Sequence, residues 1–308
     1  MRVPWMNLSL QAKKKETDMY QAGLVLEGGG MKGVYTAGVL DFFLEKDIML
    51  SSVYGVSAGA CHMCSYVSKQ KGRAMDVSVD YLEDKMYCSA RSLILTGDLF
   101  NVDVGYHLIP DYLNPFDHEA FHQYQGKVYS VVTNIVTGMP EYLRIRDLKK
   151  DIDAIRASAS LPLMARNVEI DGKLYLDGGI ADPIPIAKSI LDGNRKNVVI
   201  LTKEEGYVRK PTDKASLALI KARYTKYPKI YELMAERHKN YNATMDYLYR
   251  QVENGQAYVI RPKHESKVGR IEKNKENLLE LYQTGYEEAK AHYETLMEYL
   301  GKESDYNG

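Results

Sequence analysis

The chain has 308 residues, of which 45% are hydrophobic and 27% charged, and its 41 Lys and Arg balance 41 Asp and Glu to a net charge of zero. That length and composition suit a soluble globular protein with a sizeable core, and the neutral balance excludes any global attraction to nucleic acid or anionic membrane. No run approaches the ~18–20 apolar residues needed to span a bilayer.

Residues 1–21 lack the apolar stretch and small-residue cleavage site of a secretory signal, and Lys13, Lys14 and Lys15 fall downstream of its weakly apolar part. They read as a flexible leader on a cytoplasmic protein, peripheral at membranes at most. Residues 22–27 (AGLVLE) form a short apolar run closed by GGGMKG, the pattern of a buried strand. From Gly33 onward Val34, Ala37, Val39, Leu40, Phe43 and Leu44 recur at helical spacing. A second strand around 52–54 enters GVSAG, and another helix follows to about Lys71. Strand, helix, strand, helix implies a parallel pair covered by helices.

Residues 73–125 read as irregular and largely helical, with breaks near Gly97, Pro110 and Pro115. Strands are expected at 127–133 and 141–145, and a helix at 151–160 stopped by Leu161 and Pro162. Two short strands at 167–170 and 173–176 flank Asp171 and Gly172 as a hairpin. Residues 197–202 and 256–261 are two more strands, separated by a helical region at 214–252. A last helix is expected at about 268–300, with Ile271, Leu278, Tyr282, Ala289, Tyr293 and Leu296 on one stripe. No linker divides the chain, so a catalytic core at 22–200 and a mainly helical extension at 201–308 are expected in one domain.

Three features carry chemistry. Gly55-Val56-Ser57-Ala58-Gly59 places a serine on a tight strand-to-helix turn, where the hydroxyl is exposed and the helix N-terminus favours negative charge. Gly28-Gly29-Gly30-Met31-Lys32-Gly33 offers backbone N–H groups to an oxyanion, and losing one such donor typically raises a barrier by ~3 kcal/mol. Gly28, Gly30 and Gly33 also satisfy the dinucleotide-binding pattern, but the acidic residue expected ~20 positions on is missing. Asp177-Gly178-Gly179, after the hairpin, supplies a carboxylate downstream. Cys61 and Cys64 read as buried thiols on one helix face, and Cys88 stands apart.

In order and spacing, G-G-G-x-K-G, then G-x-S-x-G roughly twenty-five residues later, then D-G-G, resembles the patatin-like phospholipase family. The segment Ser158-Ala159-Ser160-Leu161-Pro162 fits the same pattern, and the resemblance spans about residues 22–190. It implies a three-layer α/β/α sandwich around a mostly parallel sheet, with C-terminal helices packed over it. It further implies a Ser57–Asp177 dyad: Ser57 as nucleophile, Asp177 as general base, and the glycine loop, with Met31, Lys32 and Gly33, as oxyanion hole. Gly55, Gly59, Gly178 and Gly179 would complete the elbow and the D-G-G turn. No metal or cofactor is implied, and the substrate would be a fatty-acyl ester, a phospholipid or lysophospholipid.

Two alternatives remain. His264 follows the 256–261 strand, so Ser57, Asp177 and His264 stand in the chain order of an α/β-hydrolase triad; a catalytically silent lipid-binding protein on the same scaffold is the other. His62, His107, His118, His122, His238 and His292 have no motif context. Between 209 and 231, seven Lys and Arg alternate with Tyr224, Tyr227 and Tyr231, and either face lipid or form a solvated helix face with the tyrosines turned inward. The excess of Tyr over Phe, 25 against 5, has no explanation in the sequence.

Overall fold

A computed structural model describes residues 19–301; most of the 1–21 leader, including the three lysines, lies outside the described residues. The strands are β1 (Tyr20–Leu26), β2 (Leu50–Val56), β3 (Lys127–Asn134), β4 (Pro140–Arg144), β5 (Val168–Ile170), β6 (Lys173–Asp177), β7 (Asn197–Ile200) and β8 (Ala257–Ile260). They form one sheet in which β3, β2, β1, β7 and β8 run parallel in that order. Side chains alternate between its faces, as period two requires. Leu24, Leu26, Val53, Val198 and Ile200 enter one core; Val25, Tyr54, Val199 and Leu201 enter another.

The helices are α1 (Val34–Glu45), α2 (Ala58–Val67), α3 (Arg73–Asp80), α4 (Ala90–Thr96), α5 (His118–Gln123), α6 (Leu148–Ser158), α7 (Ile186–Leu191), α8 (Lys214–Arg223), α9 (Pro228–Glu253), α10 (Lys275–Ala291) and α11 (Tyr293–Gly301). Helices α1, α2, α6 and α10 contribute to the first core, α7 and α9 to the second, giving the expected three-layer α/β/α sandwich. Helix α1 is buried nearly all round because α10 covers its outer side. The two helices meet at Gly38 and Gly285, where an added Cβ would lie 2.1 Å from the Tyr282 and Tyr35 carbonyl oxygens respectively. Only a residue without a side chain permits that approach.

One detail of register places the candidate site. Strands β2 and β4 both pair with residues 129–131 of β3, so they occupy opposite edges. Strands β4 and β6 both pair with Val132 and Thr133, so they too are on opposite edges. Hence β2 and β6 share one edge of β3. The β5–β6 hairpin continues that edge where β2 turns away: Val56 faces Val131, and Asp177 faces the next residue, Val132.

Three expectations on the helices need correction. The region 214–252 is two helices, because Tyr224 ends α8 and Pro228, unable to donate a backbone hydrogen bond, opens α9. The last helix starts at Lys275, capped by the Asn274 side chain, and a second begins at Tyr293. Residues 261–274 instead lead back over the glycine loop, where the Arg270 carbonyl accepts a hydrogen bond from the Met31 amide (3.0 Å). Ile271 is therefore exposed and off the expected stripe. Between α4 and α5, residues Val104–Leu113 adopt a π-helix around Pro110.

The tyrosine excess has a structural account. Tyrosines sit at seams between layers, with rings packed inward and hydroxyls donating to carboxylates: Tyr35 to Glu288 (2.7 Å), Tyr282 to Asp41 (2.7 Å) and Tyr241 to Glu27 (2.8 Å). Phenylalanine would fill the same space and leave each carboxylate short of a donor.

Candidate active site

Ser57 follows β2 and caps α2 at φ 55° and ψ −122°, a conformation that L-residues rarely adopt. The turn projects its side chain between α2 and the loop after β1, while Gly55 and Gly59 pack on the Ala60 and Leu26 backbones. Gly28 is the closest approach: a Cβ there would lie 2.7 Å from Ser57 Cβ and 3.5 Å from Oγ. That contact brings the glycine loop against the serine.

In the loop, the N–H groups of Gly28, Gly29 and Gly30 have no backbone partner among the described residues. Gly29 and Gly30 take dihedrals that turn the chain sharply, with Gly30 at φ 59°. The expectation that the whole 28–33 segment donates is corrected at Met31, whose amide is held by the Arg270 carbonyl. Gly33 is buried against Ala58 and His62. Lys32 acts at a distance, as one of the charges bearing on Lys203.

Asp177 is 1% exposed and ends β6, and Gly178 packs on the Val131 carbonyl. Its Oδ1 accepts from the Gly179 amide (2.8 Å), and its buried Oδ2 has no hydrogen bond of normal geometry among the described residues. Burial raises the carboxyl's pKa above the ordinary range. The Ser57 hydroxyl, Arg237, the Gly179 amide and Arg270 all act in the opposite direction, and burial wins. A buried oxygen with a raised proton affinity and a free lone pair beside a serine hydroxyl is suited to accept that proton.

The Ser158–Pro162 segment holds both residues. The Ser57 amide donates to Ser158 Oγ (2.8 Å), and the Asp177 amide donates to the Ser160 carbonyl (2.9 Å). The sequence marked this segment only through the resemblance; its positioning contacts depend on long-range pairing that no local pattern encodes.

Two cavities adjoin at Ser57. The larger, about 240 Å³, is walled mainly by apolar side chains of residues 57–165, including Leu99, Phe100, Tyr106, Ile109, Ile152 and Ile155. The smaller, about 90 Å³, is polar and bounded by the glycine loop, Asp177, Lys203, Arg209, Arg237 and Arg270. None of those four cations was singled out for the site by sequence, although Lys203 follows β7 closely, at the strand end where open parallel sheets bind ligands.

Other candidates fall away. His264 is exposed and lines neither cavity, so the structure does not assemble the Ser57–Asp177–His264 triad. His62 is buried, and burial lowers its pKa to about 4, leaving it neutral. Cys61 and Cys64 are free; burial pushes Cys61 up to about 12 and raises Cys64 as well, so neither is a reactive thiolate. In the 209–231 stretch Tyr224 is buried and Tyr227 and Tyr231 pack beside it, which favours the solvated-face reading.

A family model described as Patatin-like phospholipase matches residues 24–189, and one described as Domain of unknown function (DUF6363) matches residues 227–301. The chain is 32% identical over 183 residues to Uncharacterized protein YjjU of Escherichia coli K12, covering 58% of this chain and 51% of YjjU. It is 23% identical to Probable lipid hydrolase 463L of Invertebrate iridescent virus 6, covering 58% of this chain and 66% of that protein. Similarity to Lysophospholipase NTE1 of Saccharomyces cerevisiae is 27% and covers 54% of this chain and 10% of NTE1. The chain thus spans less than two thirds of each of these relatives. Among solved structures, VipD from Legionella pneumophila aligns with a TM-score of 0.44 at 15% identity, over 90% of this chain and 67% of VipD. The first family model takes in 166 of 308 residues, with the glycine loop, the serine elbow and the D-G-G turn inside it, and the chain belongs to the patatin-like phospholipase family.

Proposed function

We propose that the protein is a serine hydrolase of lipid carboxylic esters, acting through a Ser57–Asp177 dyad on phospholipids or lysophospholipids. The observation that carries this reading is buried Asp177, with an Oδ2 that has no normal hydrogen bond among the described residues, beside Ser57 on the wall of an apolar cavity and next to three loop amides without a partner among those residues. Ser57 Oγ attacks the ester carbonyl carbon as its proton passes to Asp177 Oδ2. The carbonyl oxygen, now anionic, takes hydrogen bonds from the Gly28, Gly29 and Gly30 amides. The tetrahedral centre collapses, the alcohol leaves with the proton from Asp177, and the acyl chain stays in the apolar cavity on Ser57. Water then attacks the acyl-enzyme with Asp177 again as base, releasing the fatty acid.

The cavity's wall suggests how such a substrate arrives. The segment that supplies Phe100, Tyr106 and Ile109 to the interior also exposes Ile94, Leu95, Tyr112 and Leu113 to solvent. Exposed apolar side chains on a segment that also lines the cavity fit transient contact with a lipid surface.

The test is hydrolysis of a short-chain chromogenic ester, with labelling by a fluorophosphonate. Ser57→Ala and Asp177→Asn should each lower kcat by about 10³-fold or more, and the double variant should lose little beyond the worse single. His264→Ala should stay within about twofold of wild type, as expected for an exposed residue outside the site. A wild-type protein that neither turns over esters nor labels at Ser57 would leave a lipid-binding role on the same scaffold as the better reading.

A further inference from the structure

The small cavity holds more positive charge than the dyad explains. Lys203, Arg209, Arg237 and Arg270 line it against two carboxylates, Glu27 and Asp177, an excess of two positive charges by four minus two. Glu27 is committed elsewhere: its Oε1 accepts from Tyr241 (2.8 Å) and its Oε2 from the Thr202 amide (2.7 Å) and hydroxyl (3.1 Å). Among the described residues none of the four cations forms an ion pair. Gathering unpaired cations costs folding free energy through desolvation and mutual repulsion, so an arrangement of this kind points to an anion that completes it.

The cations are also held in place. The Arg209 guanidinium lies 4.2 Å from the Tyr241 ring centroid, and its backbone is clamped by Asn242 through both N–H (2.9 Å) and C=O (3.2 Å). Its Nε is buried with no partner among the described residues. Arg237 reaches from α9 and donates through Nε to the Gly179 carbonyl (3.1 Å), beside Asp177. Lys203 leaves the end of β7, and Arg270 lies over the glycine loop, on the border of both cavities. The position is the crevice between β1 and β7, where the sheet order reverses and ligands of open α/β sheets commonly bind.

We infer that this cavity is a subsite for the phosphate-bearing headgroup of the ester substrate, built by the chain beyond the catalytic family segment. All four cations follow residue 189, where that segment ends, and Arg237 and Arg270 fall within the 227–301 region of unknown function. The inference rests on the hydrolase reading and adds to it the place and the residues that would hold the phosphate. In a glycerol phosphate ester only the glycerol backbone separates the acyl carbonyl from the phosphate. Two cavities adjoining at Ser57, one apolar and one cationic, match that division. Arginine presents paired N–H donors that suit phosphate oxygens. The charges act on one another in keeping with this: burial and then Lys32 hold Lys203 down to about 8, and burial and then Arg209 hold Arg237 down to about 10.

The test compares kcat/KM on two monoacylglycerols of one acyl chain, with and without a 3-phosphate. Wild type should favour the phosphorylated ester by about tenfold or more, as loss of a charge-assisted contact implies. Arg209→Gln and Lys203→Met should bring the ratio toward one, and Lys203→Arg should restore it, with folding of each checked by circular dichroism. A wild-type ratio near one, or variants that keep the wild-type ratio, would overturn the headgroup subsite while leaving the hydrolase reading intact. Calorimetric binding of glycerol 3-phosphate to Ser57→Ala separates the two further. Binding that Arg209→Gln abolishes supports the subsite even if no ester is cleaved. Inorganic phosphate binding equally well, with no preference for the phosphorylated ester, would make this a free-phosphate site and refute the headgroup assignment.

Discussion

The two cavities that adjoin at Ser57 are made by different stretches of chain and by different physics. The apolar one is walled almost entirely by residues 57–165 and is what remains when α2, α6 and the π-helical segment fail to close on one another. The polar one is assembled from residues more than two hundred positions apart, each aimed by a specific contact: a ring under Arg209, a carbonyl on Arg237, the glycine loop under Arg270. An apolar cavity tolerates variation in its lining so long as volume is kept. A cluster of unpaired charges has no such latitude, since every member changes the energy of the others. The first cavity is therefore expected to set a graded preference for chain length, and the second a sharp preference for charge.

The strongest way to break this contrast is to fill the apolar side. Ile152→Trp should reduce kcat/KM on a long-chain ester by about 100-fold while a two- to four-carbon acyl group loses several-fold at most, in line with overpacking penalties of ~1–3 kcal/mol. Equal losses on both chains would show that the cavity does not receive the acyl group. A smaller effect is expected at the seam. Ser158→Ala removes the acceptor of the Ser57 amide, and loss of one buried hydrogen bond, ~0.5–1.5 kcal/mol, should lower kcat by up to about tenfold with KM unchanged. A rise in KM alone would place Ser158 in substrate binding instead.

The smallest effect concerns coupling between the two sides. Arg237 favours the ionised form of Asp177, so removing its charge makes protonation easier and raises that carboxyl's pKa further. Since the base must be ionised to accept a proton, activity is lost as pH falls through this pKa. Arg237→Met should move the acid limb of kcat/KM on a neutral ester to higher pH, by on the order of half a unit to one. An unmoved limb, or one shifted to lower pH, would show that Arg237 does not act on Asp177. The sign has a counterpart in stability. The folded state holds this proton more tightly than the unfolded chain, so the ionised carboxylate destabilises the fold once pH rises past the ordinary carboxylate range.

Legibility in the sequence followed the range of the interactions. Strands β1, β2 and β7 announced themselves as apolar runs closed by turns, and Ser57, Asp177 and the glycine loop each sat in a local motif. Helix α9 was merged with α8 because periodicity continues across Tyr224–Tyr227, and only Pro228 marked the break. Arg209 falls in a stretch that the sequence presents as surface, since nothing near it shows that Tyr241 and Asn242 turn it inward. Arg270 falls inside the helix that the 268–300 periodicity predicts, although Gly269 before it and Asn274 after it are the residues of a loop and a cap. The mutual placement of Ser57 and Asp177 is equally hidden in the sequence, because it depends on a hairpin docking beyond the end of β2.

That docking has a consequence for how such a protein can change. The rungs that fix the serine and the aspartate are consecutive on β3, so a single strand sets the spacing of the two proposed catalytic residues. The cations of the smaller cavity come from the chain after β7, and one of them, Arg237, reaches back to the Gly179 carbonyl beside Asp177. The stretch from 203 to 270 is therefore not an independent faceplate: Arg237 bonds the Gly179 carbonyl and the Arg270 carbonyl holds the Met31 amide, so redrawing it for another headgroup also retunes the carboxylate and the loop.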